Sequence, residues 1–220
     1  QMDKVGHLTT SYYLGRIGMD MMQWSGVGGR KQIWYGIAGS FLYMTGIEML
    51  DGFSNGWGFS WGDFSANTLG TGLIVGQKYL QHSAVSSPLK RGVGGISLKF
   101  SYSQTDFPKY RPSLLGKNLS ENILKDYNGQ TYWMSFNISS FLNRESKFPK
   151  WLNIAFGYGA EGMISGNDEF VKLDNGNTIW MERYRQYYLS LDIDLTKIKT
   201  RSHFLKTIFN LCMFEISKKI

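Results

Sequence analysis

Apolar residues recur with a helical period before residue 90 and with a twofold period after residue 95. Over residues 3–24, Val5, Leu8, Tyr12, Ile17 and Met21, with Leu14 and Met22 beside them, predict one apolar face on a helix of about six turns. Ser25-Gly-Val-Gly-Gly29 ends it. A second helix is predicted over residues 31–50, where 33–45 carries no charge and sets Gly36 and Ser40 four apart, the small-residue spacing that lets helices approach closely. This helix is expected to be buried or in lipid; its polar ends, Glu48 among them, disfavour a simple transmembrane anchor. Ser60, three positions before Asp63, forms a capping box that starts a third helix running to about His82. There Gly72 and Gly76 repeat the close-packing spacing, and Leu73, Val75 and Leu80 supply apolar surface. Short loops between three helices imply one compact unit.

The Ser-rich residues 82–88 and Lys90-Arg91-Gly-Val-Gly-Gly95 mark a boundary, giving a helical domain over 1–90 and a strand-rich domain over 91–220. Ile96, Leu98, Phe100 and Tyr102 alternate with Ser97, Lys99 and Ser101, which is the pattern of a strand. Further strands are predicted at 131–142, 152–164, 169–173 and 178–195, with Asn175-Gly176 as a tight hairpin between the last two and a short helix within 113–127. Residues 203–216 return to a helical pattern, and Lys206, Lys218 and Lys219 suit a membrane-surface helix. The expected fold is α+β: a three-helix unit packed on an antiparallel, curved or partial-barrel sheet, with a C-terminal helix. The strand alternation fits a soluble sheet with one covered face, and equally a membrane barrel with apolar residues toward lipid. About five strands are visible where a closed outer-membrane barrel needs eight or more, so a half-barrel or a sheet lying on a partner is expected.

At 220 residues, 42% hydrophobic and 15% aromatic, the chain can bury a substantial core, which excludes disorder. The formal charge of +7 suits an anionic partner. Basic residues are scattered singly or in pairs (Arg30-Lys31, Lys90-Arg91, Lys218-Lys219) without a stripe that could follow a phosphate backbone, so a membrane surface is expected rather than nucleic acid. The lone Cys212 excludes an internal disulfide framework and a Cys-based zinc site. A start at Gln1 reads as a mature exported chain after removal of a signal peptide.

The chemistry concentrates in residues 46–70, where acidic groups and an amide stand among aromatic and small residues. Glu48 and Asp51 lie three apart, and Asp63 and Asn67 four apart, so each pair shares a helical face. His7, on a face with Thr10, Ser11 and Leu14, can meet them if the helices pack side by side. Three readings are open: Asp63 as a helix cap with Glu48 and Asp51 facing water, a buried structural network, or a metal-binding or catalytic cluster of His7, Glu48, Asp51, Asp63 and Asn67. The spacing is that of no specific metal motif. Gly26-Val-Gly-Gly29 and Gly92-Val-Gly-Gly95 lack the strand-turn-helix setting and the lysine of a phosphate loop, so no cofactor is expected. No Gly-x-Ser-x-Gly elbow is present, and His7, His82 and His203 have no recognisable nucleophile partner.

Asp3-Lys4-Val-Gly-His7-Leu, Trp34-Tyr-Gly, Glu48-Met-Leu-Asp51-Gly-Phe and Trp61-Gly-Asp63-Phe-Ser-Ala-Asn67-Thr-Leu-Gly70 resemble the YfiM-like family of predicted bacterial periplasmic or outer-membrane proteins. The order His, Glu, Asp, Asn, Gly more distantly resembles the VanZ-like membrane family. The likeness covers about residues 3–80. The strand-rich extension, with Lys125-Asp-Tyr-Asn-Gly-Gln-Thr-Tyr-Trp133 and Phe156-Gly-Tyr-Gly-Ala-Glu-Gly162, resembles the form found in Bacteroidetes-type bacteria. The resemblance implies an exported envelope protein and supplies no biochemical activity. Lipoprotein members carry a lipidated Cys where this chain has Gln1, and Ile220 is not the terminal aromatic of outer-membrane barrels.

The expected function is therefore a non-enzymatic outer-membrane protein that serves as a subunit or assembly factor of a larger envelope complex, with other outer-membrane proteins and membrane lipid as partners. The alternative is an envelope enzyme or metal-binding protein that uses the His/carboxylate cluster on a lipid or cell-wall substrate. A third reading is a soluble periplasmic binding module with the sheet as its platform.

Overall fold

The computed structural model describes residues 1–54, 58–82, 95–143, 145–165, 170–198, 200–202, 205 and 214–216. The chain divides into two compact units: most residues before Ile96 fall in the helical one, together with Ser140–Asn143, and most of those from Ile96 onward fall in the strand-rich one. Helices α1 (Met2–Trp24), α2 (Gly29–Gly52) and α3 (Trp61–His82) make up the first.

Glycines set the distance between these helices. A Cβ on Gly36 of α2 would overlap the backbone of Gly18 and Met19 on α1, and one on Gly70 of α3 would overlap the Leu8 carbonyl. Ser40, one turn beyond Gly36, donates its hydroxyl to the Ser11 carbonyl at 3.1 Å. The expected small-residue seam on α2 is thus present. On α3 the expectation is corrected: Gly72 and Gly76 have open space, and the close approach falls at Gly70. The apolar face expected on α1 is also rotated, because Ile17 and Met21 are exposed while Tyr12, Met19 and the polar Thr9 and Ser11 are buried. Where the helix backbones cross most closely, small side chains that hydrogen-bond across the seam take the interior, since a branched side chain there would hold the backbones apart.

In the second unit β1 (Ile96–Tyr102), β2 (Gln130–Asn137), β3 (Leu152–Glu161) and β6 (Tyr184–Ile193) form an antiparallel sheet in the order β6-β3-β2-β1. The sheet is open among the described residues. Between β1 and β2 lie three short helices, α4 (Phe107–Tyr110), α5 (Pro112–Leu115) and α6 (Leu119–Lys125). Asn118 caps α6 by accepting the Glu121 N–H at 3.0 Å. The strand expected over 131–142 stops at Asn137, where α7 (Ile138–Phe141) begins. The strand expected over 178–195 divides into β5 (Thr178–Trp180) and β6. β5 pairs with β4 (Phe170–Lys172) in a separate hairpin turned by Asn175-Gly176, with Gly176 at φ +87°. That hairpin shares a small core of Leu115, Ile164, Val171 and Leu173.

The expected terminal helix lies largely outside the described residues, as does most of the expected boundary over 82–95. Within it, Phe214–Ile216 is a strand, β7, that pairs parallel with β1 at Phe100–Tyr102, which corrects the helical expectation for those residues. Ladder hydrogen bonds to an available strand edge override a weak local helical period.

Toward β3 and β6 the faces of the antiparallel sheet are inverted relative to a soluble sheet. Register places Ser97, Lys99, Ser135, Asn137, Asn153, Ala155 and Asp192 on one face. Ser135, Asn137, Asn153 and Ala155 there are buried. The opposite face carries Met134, Phe156, Leu189 and Leu191, and is open toward β3 and β6, with Leu189 70% and Leu191 73% exposed; toward β1, Leu98 and Phe100 are covered. The sheet curls around its polar face. Lys99 on β1 and Asp192 on β6 are three strand spacings apart, about 14 Å in a flat sheet, yet their side chains meet at 2.6 Å. Gly157 makes room for the Trp133 ring, which packs on Tyr188 with centroids 5.9 Å apart and donates its indole N–H to Ser101 at 2.8 Å.

Candidate functional site

The candidate polar cluster assembles inside the helical unit from the stripe Asp3, His7 and Ser11 on α1, Glu48 near the end of α2, and the first two turns of α3. Ser60 starts α3 as its sequence signature requires, accepting the Asp63 N–H at 3.2 Å. The turn that follows brings Asp63 and Asn67 onto the face toward α1.

His7 Nδ1 lies 3.2 Å from Glu48 Oε1 and 3.2 Å from Asn67 Oδ1. Asn67 Oδ1 already accepts the Ser11 hydroxyl at 2.9 Å, and Asn67 Nδ2 donates to Glu48 at 3.4 Å. Asn67 Oδ1 is an acceptor, so its contact with His7 is a hydrogen bond in the tautomer that holds the proton on Nδ1. Nε2 lies 3.7 Å from Asp3 Oδ1. Beside this group Lys4 donates to Asp63 at 2.9 Å. Glu48 is 1% exposed, Asn67 1% and Ser11 fully buried.

Of the residues singled out by sequence, the structure brings His7, Glu48 and Asn67 into mutual contact. Asp63 stands alongside through Lys4. Asp51 is half-buried and, among the described residues, makes no side-chain hydrogen bond to the cluster; it acts on Glu48 through its charge. Lys4, Asp3 and Ser11 join the cluster in the structure. The periodic signal for two of them was present, because Asp3, His7 and Ser11 follow one another at i, i+4.

Burial pushes the Glu48 carboxyl above the usual carboxylate range, opposed by His7. Burial also pushes Asp63 upward, but hydrogen bonds from Ser60 and Lys4 outweigh it and hold that carboxyl below its usual range. The Asp63 hydrogen bond raises Lys4 in turn. These opposite shifts give opposite pH dependences. The depressed Asp63 contributes stability that is complete above the ordinary Asp value and lost as pH falls through its folded value. The raised Glu48 contributes stability below the ordinary Glu value and loses it as pH rises through its folded value. Glu48→Gln keeps acceptor oxygen for Asn67 and carries no charge. It is expected to retain stability at pH 7 within about 1 kcal/mol and to flatten the decline of stability above pH ~4.5, as read from denaturant midpoints across pH. A variant that loses several kcal/mol at neutral pH while keeping the wild-type slope would contradict this assignment.

Chemically, the cluster sets carboxylates beside a lysine, a histidine and hydrogen-bond donors. Asp3, His7 and Asp63 can each turn one ligand atom toward a common point, with those atoms within 4.8 Å of one another. Lys4 already supplies Asp63 with a positive charge. Ser11 offers no nucleophile, since it is buried and its hydroxyl is committed to Asn67.

No described helix is long and apolar enough to cross a membrane. Comparison with characterised proteins and with solved structures finds no match. Residues 1–78, about a third of the chain and nearly the whole helical unit, match the family model DUF2279, described as predicted periplasmic lipoprotein, which supports an uncharacterised family of periplasmic cell-envelope proteins.

Proposed function

We propose that the chain is a non-enzymatic outer-membrane protein that acts as a structural or assembly subunit of a larger envelope complex. The observation that carries this reading is the inverted sheet. Burying polar side chains while leaving Phe156, Leu189 and Leu191 open is the pattern of a membrane barrel wall, and it is unfavourable for a sheet surrounded by water. Four antiparallel strands do not close, and β6 is an edge among the described residues. In hydrocarbon such an edge needs a partner strand, because no water is available to its backbone groups. The finer likeness to the YfiM-like, Bacteroidetes-type proteins agrees with this reading, and the periplasmic family likeness of residues 1–78 supports the envelope location.

The test is gentle detergent extraction of the native envelope with the chain tagged, followed by size analysis and identification of what co-purifies. Stoichiometric outer-membrane proteins are expected. A monodisperse monomer that is stable in detergent-free buffer sinks the proposal.

A second reading, a metal-binding protein or envelope enzyme, draws on the convergence of Asp3, His7 and Asp63. Metal analysis of the purified chain against His7→Ala separates the two. A ligand cluster loses metal in the variant, whereas a structural network loses only stability.

A further inference from the structure

We infer that the outward face of α2 is a lipid-binding surface, docked against the hydrocarbon of an anionic membrane with Arg30 and Lys31 at the headgroups. The inference rests on the envelope location proposed above, but on a different part of the molecule from the sheet.

The inward face of α2 is committed to its own bundle, where Ile33, Gly36, Ile37, Ser40, Met44 and Glu48 are buried. The outward face is apolar along its length. Trp34, Tyr35, Leu42, Tyr43, Leu50 and Phe53 are all more than half exposed, Phe53 reaching 85%. No charged residue occurs between Lys31 and Glu48, and Glu48 points inward. From Trp34 to Phe53 the stripe is about 28 Å long. A contiguous apolar face of this length marks an interaction site.

Charge selects lipid as its occupant. Arg30 and Lys31 are exposed at the start of the helix, within a chain of net charge +7, and Trp34 and Tyr35 follow one turn later. Cations at the end of an apolar stripe, followed by amphipathic aromatics, match the order of headgroup, interface and acyl chain at a membrane surface. No described helix meets the hydropathy requirement for a membrane span, and α2 keeps Gly36, Ser40 and Glu48 on its inward face. Contact with lipid needs only the outward face.

The experiment uses the full chain with Cys212 replaced by Ser and a single Cys carrying an environment-sensitive fluorophore at Tyr35, Leu42 or Leu50. These positions are exposed, so labelling leaves the bundle core intact. Vesicles are of phosphatidylethanolamine and phosphatidylglycerol, with or without doxyl-labelled lipid. At all three positions, vesicles are expected to shield the probe from iodide, and doxyl lipid is expected to quench it. Arg30→Gln with Lys31→Gln should weaken binding to these vesicles by about tenfold or more. Probes that remain open to iodide overturn the inference. So do probes shielded from iodide but unquenched by doxyl lipid, which would mean that protein covers the face. Lipid quenching in a chain that recruits no envelope protein would support this inference while removing the subunit reading.

Discussion

Gly36→Val is expected to unfold the helical unit, with a loss of at least about 3 kcal/mol read as a fall in denaturant midpoint and helical circular dichroism. The reason is geometric. Even a methyl group at this position would overlap the backbone of Gly18 and Met19, and a helix backbone cannot yield as the end of a flexible side chain can. Relief requires α1 and α2 to separate. Separation would strain the Ser40 bond to the Ser11 carbonyl and, through Ser11, the support of Asn67 and Glu48. Gly39, three residues further on, provides the internal control. It is exposed and has open space around its Cβ position, so Gly39→Ala should stabilise the helix by up to about 1 kcal/mol through backbone entropy. Equal effects at the two positions would show that α1 and α2 do not meet at Gly36.

Asp192→Leu is expected to destabilise the sheet unit by about 2–4 kcal/mol, at the lower part of the range for breaking a buried pair because both partners keep some exposure. Asp192 joins β6 to β1 across the curl, accepting from Lys99 at 2.6 Å and from Ser135 at 2.5 Å. Ser135 also accepts from Asn153, and Asn153 accepts from Asn137, so the network crosses all four strands. Removing the carboxylate leaves the Lys99 ammonium on a partly desolvated face with only the Ile193 carbonyl as its partner from this network. The double variant Lys99→Met with Asp192→Leu removes that penalty and should recover most of the loss in a double-mutant cycle. A cycle with no coupling would mean that the curl does not depend on the pair. This network also bears on function. A polar interior held by side-chain hydrogen bonds lets the apolar residues face outward without leaving buried polar groups unmatched.

Much of the architecture was legible from local signals. The change of period near residue 95 separated helices from strands, Ser60 marked the start of α3, and Asn175-Gly176 marked the β4–β5 turn. Each depends on neighbours in sequence: hydrophobic period, a cap three residues away, or a turn that needs positive φ. The local reading failed where a distant strand or backbone competed. Residues 214–216 become a strand because the β1 edge accepts them, and α3 approaches α1 at Gly70 rather than at Gly72 or Gly76 because only Gly70 faces the Leu8 carbonyl. At the candidate site, helical spacing put Asp63 and Asn67 on one face, but it could not show that Lys4 neutralises Asp63 or that Asp51 stands apart.

By itself the sequence determined which residues can be helix or strand, because those preferences are written in short-range steric and hydrogen-bonding terms. It also set Glu48, Asp63 and Asn67 among aromatic and small residues, but left open whether they face water or one another. The tertiary structure decided which side of each element faces inward. A period of two or 3.6 defines two faces but does not say which of them is buried. That depends on partners far along the chain: the Asp192 carboxylate that draws Lys99 across the curl, and the glycines of α1 and α2 that admit only small residues between them. At the α1–α2 crossing and on the concave side of the sheet, small or polar residues take the inward positions, and apolar side chains of α2 and of the β3–β6 wall are directed outward.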